Sequence, residues 1–190
     1  MACFILLLIS CYFFFERIFS LNRAANPNKK FNSDIHDLVS KGELDRAMEL
    51  CDNTAAVESS MLKKGIARIG RPFDEINVSM ENAAVHELSK LEKNVGFIAT
   101  TSGAAPMLGF FGTVIGMIQV FNEIASSPGQ AEVKDLADGI FTAMGTTAVG
   151  LAVGIPTYLM YNYLTLKTGA VTEKLQKIAS NFMDLINKPS

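Results

Sequence analysis

Two long stretches of this 190-residue chain, residues 94–122 and 139–166, contain no Asp, Glu, Lys, Arg or His. A helix needs about 20 apolar residues to cross about 30 Å of hydrocarbon, and both stretches exceed that length. A pair of long buried helices in a soluble protein is the alternative, but such helices nearly always keep a charged, hydrated face. The pattern therefore predicts membrane-spanning helices at residues 95–122 and 139–164.

The first apolar segment, residues 1–21, is shorter and carries Glu16 and Arg17 near its end. A secretory signal peptide is one interpretation, but the segment lacks a basic start and a small-residue cleavage site. Residues 8–11 faintly resemble a lipoprotein cleavage site, although the basic start is missing there too. We favour a first transmembrane helix that is truncated at its periplasmic end. We therefore hypothesise that the native chain begins upstream of Met1.

Polar and charged sequence with apolar positions at helical spacing fills residues 22–94. It predicts a cytoplasmic helical domain between the first and second spans. Nothing stops a helix between Phe73 and Gly96, so we expect one long helix to run from this domain into the membrane. The fold predicted is an all-α membrane protein with three transmembrane helices, whose long helices extend into the cytoplasmic domain.

The remaining two segments are short and polar. Residues 123–138 contain Pro128 and Gly129 and predict a periplasmic loop. Residues 165–190 predict an amphipathic cytoplasmic tail. The apolar positions on one face of this tail are Val171, Leu175, Ile178, Phe182 and Leu185.

Composition and charge agree with a protein whose surroundings are the lipid bilayer. Hydrophobic residues make up 49% of the chain and charged residues 19%. The net charge of −2 gives no basic excess for nucleic acid, so no nucleic-acid partner is expected. Eleven Lys and Arg residues lie in 22–93 and four in 165–190, against one in 123–138. Because basic loops stay in the cytoplasm, the N-terminus is predicted to be periplasmic and the C-terminus cytoplasmic.

Small residues distinguish the second and third spans from helices that merely anchor a protein. GxxxG pairs occur in both spans, and they let two helix backbones approach closely in lipid. One proline in each span removes a helix hydrogen bond and can bend it. The residues predicted to pack the helices together are Gly109, Gly112, Gly116, Gly150, Gly154, Pro106 and Pro156.

Hydroxyl side chains within these spans are the candidate chemistry. A hydroxyl in lipid can bond a carbonyl one turn earlier in its own helix, which is the ordinary outcome. The functional alternative is a hydroxyl-lined pore through which water or a proton carrier passes. Thr142 and Thr146 are four residues apart and share a helix face, with Thr147 about 100° round the helix.

Other kinds of chemistry find no support in the sequence. The spacing of Cys3, Cys11 and Cys51 matches no metal or redox motif, so free thiols are expected and neither a metal nor another cofactor is predicted. No catalytic motif occurs either, so the chain is not expected to be an enzyme. A protein that shuttled protons alone would be expected to carry a carboxylate or histidine in the membrane. If protons pass, a partner must therefore supply the titrating group.

Two long motifs carry a resemblance to a known family. Residues 104–118 read AAPMLGFFGTVIGMI, and residues 139–162 read GIFTAMGTTAVGLAVGIPTYLMYN. They resemble the second-helix and third-helix signatures of the ExbB/TolQ proton-channel family, closest to ExbB. The charged pair at the end of the first helix and the three-span layout agree with that family, so the resemblance covers essentially the whole chain.

The resemblance implies a homopentamer in the bacterial inner membrane, with a central pore around an ExbD-like single-span partner that bears a proton-carrying Asp. Proton flow would then drive motion that is passed to a TonB-like energy transducer. The hydroxyl positions of the family fall on Thr113 and Thr147, which would line the proton pathway with Thr142 and Thr146. Many relatives carry Glu at the position of Thr142, so a carboxylate step from this subunit is in doubt.

Three alternatives stay open at this point. A TolQ-like or gliding-motor stator subunit would use a different partner. A flagellar stator subunit fits less well, because such chains resemble a four-span layout with a larger cytoplasmic loop. A non-conducting helical membrane scaffold belongs to another class of protein, and it predicts that the threonine hydroxyls are dispensable.

Overall fold

The computed structural model describes residues 2–25, 29–54, 56–126 and 133–187, and all regular structure within these ranges is helical. The prediction of an all-α membrane protein is confirmed. Three segments are long and apolar enough to span a membrane, namely Cys3–Ala24, Val95–Ser126 and Leu136–Ile186. The helices of the described ranges are α1 (Ala2–Ala25), α2 (Lys29–Ser40), α3 (Leu44–Asp52), α4 (Val57–Ile66), α5 (Phe73–Leu91), α6 (Val95–Ser126) and α7 (Val133–Ile186).

The chain divides into two compact units, and helices α1 and α7 contribute residues to both. The first unit comprises Met1–Glu16 and Asn94–Leu164, and it contains α6 with the first part of α7. The second comprises Arg17–Lys93 and Thr165–Ser190, and it contains α2 to α5 with the last part of α7. We call them the apolar unit and the polar unit, after the composition of their sequences.

The prediction of one unbroken helix from Phe73 into the second span is wrong. Helix α5 ends at Leu91 and α6 begins at Val95. Between them Asn94 has a φ of 66°, in the left-handed region. Asparagine is among the few residues that enter this region readily, because its short polar side chain bonds nearby backbone groups. The break therefore needs neither proline nor glycine.

Helices α6 and α7 extend further than the predicted spans. Helix α6 continues to Ser126, and α7 runs for 54 residues, so the third span and the tail form one helix. The predicted turn at Pro128 and Gly129 lies outside the described residues. The apolar face of the tail is confirmed by burial of Val171, Leu175 and Phe182.

Helix α1 also continues beyond its charged pair. Its candidate span, Cys3–Ala24, has 22 residues, so the helix is longer than the apolar run that the sequence suggests. Arg17 is 8% exposed, and its Nη1 donates a hydrogen bond to the carbonyl oxygen of Lys90 at 2.8 Å. Its charged group is therefore held by protein atoms within the polar unit.

A buried carboxylate joins three helices of the polar unit. Glu58 of α4 is 2% exposed and forms an ion pair with Lys174 of α7. Asn32 of α2 donates a hydrogen bond to Glu58 Oε2 at 2.9 Å. A carboxylate inside a protein needs such partners, because removal from water costs several kcal/mol per ion.

Cys51 is buried in the same unit, and the free-thiol expectation holds for all three cysteines. Burial, with a smaller contribution from the Asp52 carboxylate, raises the pKa of the Cys51 thiol from 9.0 to about 11. The thiol stays protonated near neutral pH and is a poor nucleophile or metal ligand.

Replacing Lys174 with Met should destabilise the polar unit, because it leaves the Glu58 carboxylate buried without its cation. We expect a loss of ~3 kcal/mol in the free energy of unfolding, the size found when one partner of a buried pair is removed. Thermal unfolding of the full chain in detergent measures it. Lys177→Met on the same helix is the control, since Lys177 is exposed. Equal effects of the two substitutions would contradict the assigned role of the ion pair.

Helices α6 and α7 of the apolar unit lie backbone to backbone. A Cβ atom added to Gly150 would come within 2.6 Å of the Ala105 carbonyl oxygen and 2.9 Å of Gly109 Cα. One added to Gly109 would come within 2.8 Å of the Thr146 carbonyl oxygen. Real Cβ atoms do not approach so closely, so the observed separation of the helices requires glycine at these points.

Further contacts of this kind follow along the helix pair. A Cβ atom on Gly116 would meet Ala143 Cβ at 2.6 Å, and one on Gly154 would overlap Pro106. Gly145 differs, because a Cβ atom there would meet nothing within 4 Å. It therefore offers a matched control for the glycines between the helices.

Gly150→Ala should destabilise the α6–α7 pair, since the new methyl group meets a rigid backbone carbonyl. Overpacking of this kind costs about 1–3 kcal/mol. Gly145→Ala should leave the thermal midpoint unchanged or raise it, because alanine favours a helix by ~1 kcal/mol over glycine. Thermal unfolding of both variants in the same detergent tests this, and a drop for Gly145→Ala as large as that for Gly150→Ala would refute it.

Candidate functional site

The hydroxyl groups of Thr113 on α6 and Thr147 on α7 are hydrogen-bonded to each other across the helix pair. Thr113 Oγ1 also lies 3.0 Å from the carbonyl oxygen of Ala143, and Thr147 Oγ1 lies 3.1 Å from that of Gly109. Each hydroxyl therefore lies within hydrogen-bond distance of a carbonyl of the opposite helix. Both side chains are half-buried.

Thr146 joins the same group through both carbonyls. Its Oγ1 lies 3.0 Å from the Gly109 carbonyl oxygen and 2.7 Å from that of Ala143. Three hydroxyls and two backbone carbonyls thus form one cluster, which we call the threonine cluster: Thr113, Thr146, Thr147 and the carbonyls of Gly109 and Ala143.

Three other threonines of the apolar unit bond carbonyls of their own helix, which is the ordinary behaviour. Thr100 bonds the Gly96 carbonyl at 2.9 Å, and Thr101 bonds that of Phe97 at 3.0 Å, each one turn earlier. Thr157 likewise bonds carbonyls of its own helix. For Thr113 the own-helix carbonyl, Gly109, is the more distant at 3.4 Å, so its bonds across the pair are the shorter ones. Back-bonding alone does not explain the threonine cluster.

The hydrogen bond between Thr113 and Thr147 can run in either direction. A hydroxyl has one proton to donate and two lone pairs that accept. If Thr147 donates to Thr113, then Thr113 is free to donate to the Ala143 carbonyl. If Thr113 donates instead, Thr147 is free to donate to the Gly109 carbonyl. Both arrangements satisfy the pair, so a rotation of two hydroxyls reverses its direction.

Glycine at two positions makes this geometry possible. Because Gly109 lacks a side chain, its carbonyl comes within reach of the α7 hydroxyls. A Cβ atom on Gly112 would lie 2.7 Å from Thr146 Oγ1, so a larger residue there would displace that hydroxyl. The glycines predicted for helix packing therefore also bring the hydroxyls together.

The remaining predicted residues lie around the cluster. Thr142 is exposed and makes no hydrogen bond within the described part of the chain, so the structure does not bring it into the cluster. Pro106 lies inside α6 against Gly154, and Pro156 lies inside α7 and is half-buried.

Ala143 belongs to the site although no pattern in the sequence indicates it. Its carbonyl oxygen accepts from Thr113 and Thr146, and its methyl group fills the space opposite Gly116. A main-chain carbonyl leaves no mark in a sequence. The only available signal was position, since Ala143 lies three and four residues before the two α7 threonines.

Neither of the two charge-free stretches that contain the cluster has an Asp, Glu, Lys, Arg or His. No group of His, Cys, Asp or Glu among the described residues could hold a metal ion. The cluster can donate and accept hydrogen bonds, but it has no carboxylate or imidazole that would hold a proton near neutral pH.

Comparison with known proteins finds relatives with two names. The chain is 32% identical over 110 residues to the Tol-Pal system protein TolQ of Haemophilus influenzae, covering 58% of this chain and 48% of that protein. It is 27% identical over 170 residues to the TolQ protein of Pseudomonas aeruginosa, covering 88% and 67%. It is 36% identical over 86 residues to the biopolymer transport protein ExbB of Helicobacter pylori, covering 45% and 59%.

The first and third of these matches cover 48% and 59% of the relatives' lengths, so the chain matches only about half of each protein. A family model matches over residues 53–177, a range that includes α4 to α6, most of α7 and the whole threonine cluster. This chain belongs to the MotA/TolQ/ExbB proton channel family.

Proposed function

We propose that this chain is an ExbB-like proton-channel subunit of an inner-membrane motor. It would work with an ExbD-like single-span partner and pass the energy of the proton gradient to a TonB-like transducer for outer-membrane transport. Five copies would surround the partner and a central pore. The observation that carries this proposal is the hydrogen bond between Thr113 and Thr147 with its two alternative directions.

A row of hydrogen-bonded hydroxyls can relay a proton, because each hydroxyl donates its proton to the next group and accepts one from the group before it. The threonine cluster supplies such groups at the centre of an otherwise apolar helix pair, where carbonyls of Gly109 and Ala143 hold them in place. In lipid the hydroxyls have no bulk water to compete for these bonds. A proton relay is therefore the chemistry to which this arrangement is best suited.

The partner must bring the group that carries the charge. Residues 94–122 and 139–166 contain no Asp, Glu, Lys, Arg or His. A carboxylate on a partner helix would be expensive in hydrocarbon unless polar groups faced it. Hydroxyls of the threonine cluster would donate hydrogen bonds to the carboxylate when it is charged. When the carboxylate is protonated, these hydroxyls would release it.

The proposed orientation places the polar unit in the cytoplasm. Residues 22–93 hold eleven of the basic residues, and basic segments near membrane helices stay on the cytoplasmic side. Three spans then put the N-terminus in the periplasm and the C-terminus in the cytoplasm.

A TolQ-like subunit is the second candidate, because two of the relatives above carry that name. It would use the same threonine cluster with a different partner and transducer. Co-purification of the full chain with each kind of single-span partner distinguishes the two, since a stable complex with only one identifies the system. A scaffold without ion flux remains the alternative of another class.

Thr113→Val and Thr147→Val should abolish proton flux while the complex still assembles, because valine keeps the shape of the side chain and removes the hydroxyl. We expect flux to fall by about 100-fold, the lower end for loss of a positioned proton-transfer group. The measurement uses the complex with its partner in liposomes, with an imposed pH gradient and an internal pH-sensitive dye. Thr113→Ser keeps the hydroxyl and should retain most of the flux.

Thr157→Val is the matched control, since the Thr157 hydroxyl bonds only its own helix. It should leave proton flux unchanged. Native mass spectrometry of every variant establishes that the complex is intact. Undiminished flux in the Thr113→Val and Thr147→Val complexes would overturn the relay and leave the scaffold as the better account.

A further inference from the structure

The polar unit has a groove between α5 and the last part of α7, with a volume of about 680 Å³. Its floor is apolar and includes the buried side chains of Met61, Leu175 and Met183. Its edges carry three acidic residues, Asp74, Glu81 and Asp184, and no Lys or Arg lines it. We call it the acidic groove.

The three carboxylates of this groove form no ion pair within the described part of the chain. They are exposed, and two of them lie seven residues apart on one face of α5. An apolar floor between unpaired acids suits a helical or turn segment with basic residues at its edges.

The same unit carries a segment with the opposite charge. Residues 59–73, which cover most of α4 and the turn after it, contain four basic residues and no acidic one. Lys63 pairs with Asp52, and Arg71 lies 3.8 Å from Glu75. Lys64 and Arg68 have no ion-pair partner among the described residues. Both residues line the same groove beside α5.

Helix α5 leaves large apolar side chains exposed on both sides. Phe73 and Val85, 45% and 56% exposed, line the acidic groove. Val78, 53% exposed, lines a second groove between α4 and α5 together with Lys64 and Arg68. Asp74 and Glu75 also line this groove. In a unit with a polar surface, exposed apolar residues flanked by unpaired charges are typical of a protein interface.

We propose that the acidic groove of one copy binds the segment bearing Lys64 and Arg68 of the next copy. The inference rests on the proposed function, because it supplies the contact that a closed ring of identical subunits requires. A ring is built from two different surfaces on each copy, one for each neighbour. The acidic groove and the Lys64–Arg68 segment are two such surfaces, and their grooves share only Asp74. Glu81 and Asp184 belong to the acidic groove alone and are complementary in charge to Lys64 and Arg68.

Charge reversal on either surface should break this contact. In Lys64→Glu/Arg68→Glu the segment becomes acidic, and in Glu81→Lys/Asp184→Lys the groove becomes basic. Either double substitution brings like charges together at the contact. Their repulsion should reduce the population of the ring by ~tenfold or more. Native mass spectrometry and size-exclusion chromatography of the full chain in mild detergent measure the ring population. Raising the salt concentration should also weaken the unmodified ring.

The four substitutions combined are the decisive variant. They exchange the charges of the two surfaces, so the complementarity returns and the ring should re-form. Lys30→Glu/Lys41→Glu is the matched control, because it changes the same charge at exposed positions outside both surfaces. Circular dichroism of each variant establishes that the helices are intact.

The outcomes separate this inference from the proposed function. Loss of the ring in both double variants, with recovery in the combined variant, supports the contact. A ring that persists in both double variants overturns it and leaves the proton channel standing. A ring that persists while the single-span partner no longer co-purifies assigns the groove to that partner and also overturns it. If the unmodified chain forms no ring, the proposed function fails first.

Discussion

The close approach of α6 and α7 is the constraint on which the functional geometry depends. Hydrocarbon offers no hydrophobic force to drive helices together, so van der Waals contact and hydrogen bonds must do so. Gly109 and Gly150 provide the contact, because neither has a side chain to separate the backbones. At that separation a threonine on one helix reaches the carbonyl of the other. Packing and hydrogen bonding therefore depend on the same glycines.

The two units of the chain use charge in opposite ways. The apolar unit has hydroxyls and carbonyls where charged groups would be costly, and those of the threonine cluster bond one another. The polar unit pairs the buried Glu58 carboxylate with Lys174 and also buries Arg17, whereas charged residues such as Asp74 and Lys64 lie on its surface. A buried pair fixes neighbouring helices in register, whereas exposed charges are available to another molecule. The apolar unit avoids charged groups because its surroundings are lipid, and the polar unit keeps exposed charges because its surroundings are water.

Much of this organisation could be predicted from the sequence, because the absence of charge marks the spans directly. The helical period of the tail also placed Val171, Leu175 and Phe182 on its buried face. The break at Asn94 was missed because asparagine adopts a left-handed conformation only at some positions. The pairing of Thr113 with Thr147 depends on the relative register of two helices. No periodicity within one helix determines that register, and only the family resemblance singled these residues out.

The absence of Asp, Glu, His, Lys and Arg from residues 95–122 and 139–164 has a consequence for assembly. A proton crossing hydrocarbon needs a carrier, and hydroxyls without a carboxylate or imidazole nearby hold no excess proton at neutral pH. Under the proposed function, conduction would begin only when a partner supplies the carboxylate. Copies of this subunit made in excess of the partner would then not conduct protons across the membrane.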